Sequence, residues 1–299
     1  MNTFFKQIYR YTHLRAYRHN ENLWPFCRIT RAPGGEISHL NYKGEPVPLI
    51  PLAAWRNCFS GDALITATGP SINQMDFSHM PKMTVFGLNG AYVLKDRLIF
   101  QLYIIVDMNF IECRPHILKA IISDPGLTLF TTLHGIARII DRFTLLTVRC
   151  RLALIEDACY RIFQPKVPSN EVARRFSQDP HIYFSSYNSD IAFTTDICGG
   201  VFDAGTVVYW ALQILLFLGF KRLYIAGLDL NDFNQPRFYE TEQDKLPSFL
   251  VKHFEKLIIP AFTLASCVLQ KQGVEVKNLS LNSALSHLII EKVSYHDAF

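Results

Sequence analysis

Residues 62–71 read DALITATGPS, and the order of residue types in that stretch decides the fold. Ala63 to Thr66 is a short apolar run of β-forming side chains, and Thr68-Gly69-Pro70-Ser71 is a turn signal. The polar segment Ile72 to His79 that follows is predicted as a helix. Strand, tight loop and helix together make the opening unit of an α/β sheet. Working outward, Met83 to Leu88 is a second apolar run ending at Asn89-Gly90, and Leu98 to Val106 is a third ending at Asp107. Each run delivers polar residues at its C-terminal end. In an open parallel sheet that edge is where ligands bind, so Ser71, Asn89 and Asp107 are expected to line one crevice.

Further along, residues 111–167 alternate apolar and basic residues at helical spacing (Ile136, Ile139, Ile140, Phe143), with Pro115 and Pro125 as breaks, and mostly helices are expected there. Cys198-Gly199-Gly200 is read as opening an apolar helix that runs through Leu218 and stops at Gly219. Arg222 to Ala226 is then a strand that runs into Gly227-Leu228-Asp229, again α/β grammar. A helix from about Pro247 to Lys271 leads by way of Gly273 to a last strand, Val274 to Leu279. Polar segments 165–195 and 231–247 are expected to act as lid loops. No internal repeat is present.

The bulk composition bounds the answer. A chain of 299 residues with 49% apolar content buries a substantial core, which excludes general disorder. Seven scattered cysteines, odd in number and never in a CxxC pair, suggest neither a disulfide framework nor a structural zinc site and fit a reducing, cytoplasmic setting. The N-terminus carries aromatics and arginines where a secretory signal needs an apolar stretch. The longest apolar run, Val207 to Phe220, falls short of the ~20 residues that span a bilayer. Net charge is +4, but Lys6, Arg10, Arg15, Arg18, Arg28 and Arg31 crowd the start of the chain against the single acid Glu21. Residues 1–60 therefore read as a basic, aromatic N-terminal extension to a domain covering 61–299. Such a segment either lies on an anionic membrane surface or packs its aromatics on the body and shows solvent its charges.

Thr68-Gly69-Pro70-Ser71 after a strand offers close backbone approach, a stiff turn and a hydroxyl near a helix start, which suits a phosphate; the plain alternative is a strand-to-helix turn. Gly199-Gly200 supports the same pair of readings. No GxxxxGK[ST] loop and no GxGxxG fingerprint follows a strand, which disfavours P-loop and ordinary nicotinamide chemistry. Asp229-Leu230-Asn231-Asp232 is only loosely acidic, so no obligatory metal and no cofactor is expected. Asp229 serves either to cap its turn or in catalysis. Arg237, Tyr239 and Glu240 lie in the next loop, where Arg and Tyr suit a sugar carboxylate or a departing phosphate, or else form a solvated surface. His253 has the side chain for a general base that takes a proton from a hydroxyl, or is a lone surface histidine.

The order Gly69-Pro70-Ser71, Asn89, Asp107, Asp196-Ile197-Cys198-Gly199-Gly200, Gly227-Leu228-Asp229-Leu230 and Pro236-Arg237-Phe238-Tyr239 resembles the lipopolysaccharide core biosynthesis family WaaZ (RfaZ), Kdo transferases of the inner core. The resemblance runs from about Ala63 to His287 and is most specific from Gly227 to Tyr239; Leu246-Pro247-Ser248, Pro260-Ala261-Phe262 and Asn278-Leu279-Ser280 also match. A weaker similarity reaches bacterial sialyltransferases that use CMP-sialic acid. Here Thr68 stands where an Asn usually precedes Gly-Pro-Ser, and Gly199 stands where a Ser is usual.

The resemblance implies one Rossmann-like α/β domain, a sialyltransferase-like GT-A variant with a mostly parallel sheet, a helical lid region and the N-terminal extension. It implies that Thr68, Gly69, Pro70 and Ser71 hold the nucleotide phosphate and ribose, Asn89 and Asp107 the donor, and Cys198, Gly199 and Gly200 the cytidine side. Kdo would pass from CMP-Kdo to a lipid A core acceptor by inverting displacement at the cytoplasmic face of the inner membrane. His253 is the first candidate for the base, then Glu240 and Asp229, with Arg237 and Tyr239 at the departing phosphate. Two rivals are a CMP-sialic acid sialyltransferase and a non-catalytic membrane-associated partner in core assembly. No nucleic-acid partner is expected.

Overall fold

The computed structural model describes residues 3–248 and 250–299. Near the N-terminus a helix, α1 (Thr3–Thr12), turns Tyr9 inward, and a small antiparallel sheet follows with β1 (Cys27–Arg31), β2 (Ile37–Tyr42) and β3 (Glu45–Val47) in that order. Phe5 meets Phe26 and Trp24 edge-on at 5.4 and 6.1 Å, and Leu23, Ile37, Leu40 and Tyr42 are buried in an apolar layer shared with the body. Polar ties fasten this arm. The Arg31 guanidinium grips both oxygens of the buried Glu156 carboxylate and donates to the Ile162 carbonyl at 2.8 Å. Phe163 N–H donates to the Asn20 amide oxygen at 3.1 Å, and Lys43 reaches Asp141 at 2.6 Å.

The body is built on eight strands. Five come first in the chain: β4 (Asp62–Thr66), β5 (Thr84–Leu88), β6 (Leu102–Ile105), β7 (Thr128–Thr131) and β8 (Arg151–Leu154). A separate hairpin of β9 (Ile182–Phe184) and β10 (Ala192–Thr194) precedes β11 (Arg222–Ala226), β12 (Glu275–Asn278) and the two-residue β13 (Glu291–Lys292). The main sheet runs β13-β12-β11-β4-β5-β6-β7-β8, and every neighbouring pair is parallel. Parallel sheets are covered on both faces, which is why the strands read as unbroken apolar runs. Side chains alternate between two layers all the same: Ala63 and Ile65 face one core, Leu64 the other.

Helices α2 (Met108–Cys113), α3 (Pro115–Ile122) and α4 (Leu133–Phe143) join the strands of the first half, and the short α5 (Val172–Phe176) follows. α6 (Val207–Leu218) crosses β4, β5 and β6 with every residue after Val207 buried. α7 (Leu250–His253) passes through a π turn at Phe254–Ile258 into α8 (Ile259–Lys271), and α9 (Tyr295–Ala298) ends the chain. Pro260, which lacks an amide hydrogen, follows closely on the π turn, where the regular helical bonding is already interrupted.

Several sequence expectations are corrected. The region 111–167 is not mostly helical, because β7 and β8 lie within it; each is four residues long, too short to show a period. Residues 72–79 form two 3-10 turns, Pro70–Gln74 and Phe77–His79, rather than a helix. The long helix begins at Val207, and Cys198 and Gly199 close a 3-10 turn at Ile197–Gly199 well before it. Between them the chain is extended, and Val201 bridges to Asp157 alongside the end of β8. The helix expected over 247–271 is divided by the π turn.

The fully buried Gln213 explains how that extended segment is held. Its amide oxygen accepts from Thr194 N–H at 3.2 Å and Phe202 N–H at 3.0 Å, and its amide nitrogen donates to the Phe202 and Tyr209 carbonyls at 2.9 and 3.0 Å. All four positions of the side chain are used. Gln213→Leu keeps the volume roughly equal but strands three backbone groups that do not belong to the helix ladder. A stability loss of about 2–4 kcal/mol is expected in urea unfolding, and a loss below about 0.5 kcal/mol would remove Gln213 from this role.

Candidate active site

The chain leaves β4 toward β5 and later returns to lay β11 on the other side of β4. Where strand order reverses, the two connections diverge and leave a crevice at the C-terminal ends of the strands. A cavity of about 560 Å³ opens there. Its walls are residues 67–70 after β4, Leu88 and Asn89 at the end of β5, Asp107, Asn109 and Cys113 after β6, Gly205 to Val208 at the start of α6, and much of 227–237, with 246–248 and Leu250, after β11.

Backbone and side chain lock the two central connections together. Ala67 N–H donates to the Ala226 carbonyl at 2.8 Å and Gly69 N–H to the Gly227 carbonyl at 2.9 Å. Ser71 then gives both its donors to Asp229, the backbone N–H to one carboxylate oxygen at 2.9 Å and the hydroxyl to the other at 2.5 Å. Asp229 is 6% exposed, and these charge-assisted bonds are what offset its burial. A Cβ at Gly69 would collide with this carboxylate and with the Gly227 carbonyl. The glycine of the Gly-Pro-Ser turn is therefore required by the approach of Asp229.

Backbone strain gathers at the same place. Asn89 (φ 46), Leu230 (φ 51) and Asp232 (φ 38) are in the left-handed region that side chains other than glycine rarely adopt, and all three line the cavity. The Asn89 carbonyl is held by the Tyr103 hydroxyl at 2.6 Å, whereas its buried side-chain oxygen has no hydrogen-bond partner among the described residues. Asp107 caps α2 by accepting from Asn109 N–H at 2.8 Å.

The loop over the cavity is latched by charge. Glu240, with 1% of its side chain exposed, accepts from the Arg237 guanidinium at 2.9 and 3.1 Å, from Arg237 N–H at 3.1 Å and from Leu246 N–H at 3.3 Å. Arg114, nearly buried at the end of α2, approaches Glu240 at 3.5 Å, pairs with Asp244 at 3.2 Å and donates to the Asp244 carbonyl. Phe238 N–H reaches the Thr68 carbonyl at 3.3 Å, tying loop to turn. Tyr239 seats its ring against Gly90 and edge-on to Phe110 at 6.3 Å, and burial pushes its hydroxyl pKa up.

Of the residues singled out in the sequence, the fold brings Thr68, Gly69, Pro70, Asn89, Asp107, Asp229 and Arg237 to the cavity. Ser71 is turned away into Asp229, so its N–H and hydroxyl are not free for a phosphate. Tyr239 and Glu240 lie behind the wall, where Glu240 holds Arg237 and Tyr239 seats the loop against Gly90 and Phe110. His253 is exposed on α7 and packs beside Gly205 at the margin. Cys198, Gly199 and Gly200 do not line the cavity; Cys198 is buried near Gly34, and a Cβ on Gly200 would press on Ala158. Gly205 and Thr206 hold the helix-start position expected for that glycine pair. Asp203 organises this start by accepting from Gly205 N–H at 3.2 Å and from the Trp210 indole at 2.8 Å. Asp and Thr just ahead of an apolar run are the usual mark of a helix start, and that signal was available in the sequence. Asn109, Cys113 and Arg114 carry no such signal. None of the described residues in 165–195 lines the cavity, whereas 231–247 contributes several.

Residues 180–296 match the family model described as 3-deoxy-D-manno-octulosonic acid transferase WaaZ. No curated protein matches the sequence. Among solved structures, the chain is similar to the sialyltransferase CstII from Campylobacter jejuni in complex with cytidine-5'-monophosphate, at 17% identity over 79% of this chain and 86% of that one, with a TM-score of 0.44. It is also similar to the monofunctional α-2,3-sialyltransferase Cst-I from Campylobacter jejuni, at 12% identity over 79% and 81% of the two chains, with a TM-score of 0.42.

Glu240→Ala leaves two arginines facing each other without their shared carboxylate. Loss of such a buried partner costs about 3–5 kcal/mol, so hydrogen exchange in residues 237–248 should accelerate at least about 100-fold while β11 keeps its protection. Unchanged exchange in the loop would show that the latch does not hold it.

Proposed function

We propose that the chain is a glycosyltransferase that moves Kdo from CMP-Kdo to the lipopolysaccharide inner core by inverting displacement. The observation that carries this reading is where the family match falls. Residues 180–296 include the start of α6, the strained loop after β11, residues 246–248 and Leu250, which together form most of the cavity wall.

The chemistry of that wall suits an anionic nucleotide sugar. The amide groups at the start of α6 and the Arg237 guanidinium supply positive charge. The unpartnered Asn89 oxygen is an acceptor for a donor hydroxyl or amino group. Three side chains compete for the role of base. Asp229 is engaged by Ser71 and Glu240 by the arginines, whereas the His253 side chain is exposed beside the cavity margin. His253 accordingly takes the proton from the acceptor hydroxyl as that oxygen forms its bond to the anomeric carbon. The bond from that carbon to the phosphate oxygen breaks, and its electron pair leaves with CMP. Arg237 neutralises the departing phosphate, and Glu240 and Tyr239 hold Arg237 and its loop in position.

Purified protein given a lipid A core acceptor should release CMP from CMP-Kdo in an acceptor-dependent manner. Release from CMP-sialic acid alone would reassign the donor, and release from neither would favour a non-catalytic partner in core assembly. His253→Ala should lower turnover about 100-fold or more, and near-normal turnover would remove it from the role of base.

The working surface is proposed to be the cytoplasmic face of the inner membrane. No helix among the described residues is long and apolar enough to cross a membrane. Tyr11 is 91% and Leu14 77% exposed next to the exposed Arg15 and Arg18, an apolar and cationic combination suited to an anionic lipid surface. The protein should float with vesicles containing anionic phospholipid and remain behind with neutral ones, and Arg15→Glu with Arg18→Glu should abolish flotation. Equal recovery with both vesicle types would exclude an electrostatic contact.

A further inference from the structure

We propose that Tyr103, buried out of reach of the donor cavity, is a positioning residue: its hydroxyl fixes the peptide between Asn89 and Gly90, and thereby the direction in which the Asn89 side chain meets the nucleotide donor. The assignment rests on the glycosyltransferase reading above. Asn89 lines the cavity, whereas Tyr103 on β6 is 0% exposed and lines no part of it. Tyr103 therefore acts on a ligand only through what it holds.

Residue 89 carries a side chain that its backbone does not favour. At φ 46 it sits in the left-handed region, where glycine is free of strain and asparagine is one of the few side chains tolerated. Its side-chain oxygen is buried and has no hydrogen-bond partner among the described residues. A buried acceptor without a partner is costly in the free protein, and a ligand that brings a hydrogen to it supplies the missing bond. The side chain can do so only if it points consistently into the cavity, which depends on the backbone that bears it.

Tyr103 holds that backbone. Its hydroxyl donates to the Asn89 carbonyl at 2.6 Å and accepts from Tyr92 N–H at 2.8 Å, so one group bridges both ends of the turn that follows β5. Burial pushes the Tyr103 pKa well above its ordinary value, and the hydroxyl keeps the hydrogen it donates. The ring reaches this point by crossing Gly87, its direct partner in the sheet, where a Cβ would overlap it. Phe100 and Tyr92 pack edge-on against the ring at 5.5 and 6.0 Å, which fixes where its oxygen lies. On the loop side, the Tyr239 ring occupies the place of a Cβ on Gly90. Packing of that kind sets where Gly90 sits, whereas the tilt of the peptide plane is set by the bond at the Asn89 carbonyl.

The test compares Tyr103→Phe, Asn89→Gly and the double variant with the parent, all as the full chain, by calorimetric titration of CMP and by NMR of protein isotope-labelled on asparagine. Phenylalanine keeps the ring and removes only the hydroxyl, and glycine adopts the left-handed conformation freely, so both variants should fold. Tyr103→Phe should raise the Kd for CMP about tenfold, the size of one well-placed hydrogen bond, and displace the Asn89 side-chain amide signal. In the Asn89→Gly background the same substitution should change Kd by less than about twofold, because the side chain through which the hydroxyl acts is gone. Unchanged CMP affinity in Tyr103→Phe, or an equal tenfold loss in the Asn89→Gly background, would reduce Tyr103 to a support of the fold and overturn the assignment. If the parent binds no CMP, the donor reading falls and the NMR signal decides alone. Displacement of the Asn89 signal by Tyr103→Phe then sustains the positioning role, and an unmoved signal removes it.

Discussion

Asp229 is the point on which the site is hung. Two strands that lie side by side in the sheet come from distant parts of the chain, and their connections must diverge to leave a crevice without drifting apart. The carboxylate at the end of β11 solves this by taking both donors of Ser71 from the end of β4. Its own carbonyl accepts from Ala284 N–H at 2.7 Å, which adds the segment after β12 to the same knot. One buried charge thus fixes three connections, and the glycine at 69 is the concession that lets it approach. Without the anion the Ser71 N–H would lose its partner and the Ser71 hydroxyl would keep only the Ser280 hydroxyl at 2.9 Å, and the crevice would lose the wall that these groups hold in place.

The second layer of the site is also electrostatic. Glu240 looked in the sequence like a loop carboxylate available for proton transfer; in the fold it is an interior anion with two arginines. The distinction depends on Arg114, which lies far from it in the chain and shows no pattern of its own. A glutamate whose oxygens are held by two guanidinium groups and two backbone N–H groups is geometrically committed, which suits a brace and not a base that must reach an acceptor hydroxyl.

This explains how much was legible in the sequence. The strand-turn units at 62–71, 83–90, 98–107 and 222–229 announce themselves through apolar runs and the polar residues that end them, and those ends do meet at one crevice. Periodicity could not reveal β7 and β8, because runs of four and three buried residues fit a helix core equally well. The glycine pair at 199–200 drew attention as a helix start, but α6 opens only at Val207, after a turn in which Asp203 holds the Gly205 N–H and the Trp210 indole. Local signals locate turns. Which turn faces a ligand is decided by contacts such as Val201 with Asp157, or Gln213 with Phe202, that have no local signature.

The position of β4 has a consequence for how the molecule comes into being. It sits between β5 and β11, and its partner β11 begins at Arg222, more than half the chain later. As the polypeptide emerges, β4 through β8 have their partners in order, but one side of β4 remains an unpaired, apolar edge until β11 has been made. Such an edge is a template for wrong pairing, and closing so long a loop is slow relative to local contacts. The same topology that produces the crevice makes it one of the last features to appear, so the growing chain must pass through a stage with one edge of β4 uncovered and no site at all.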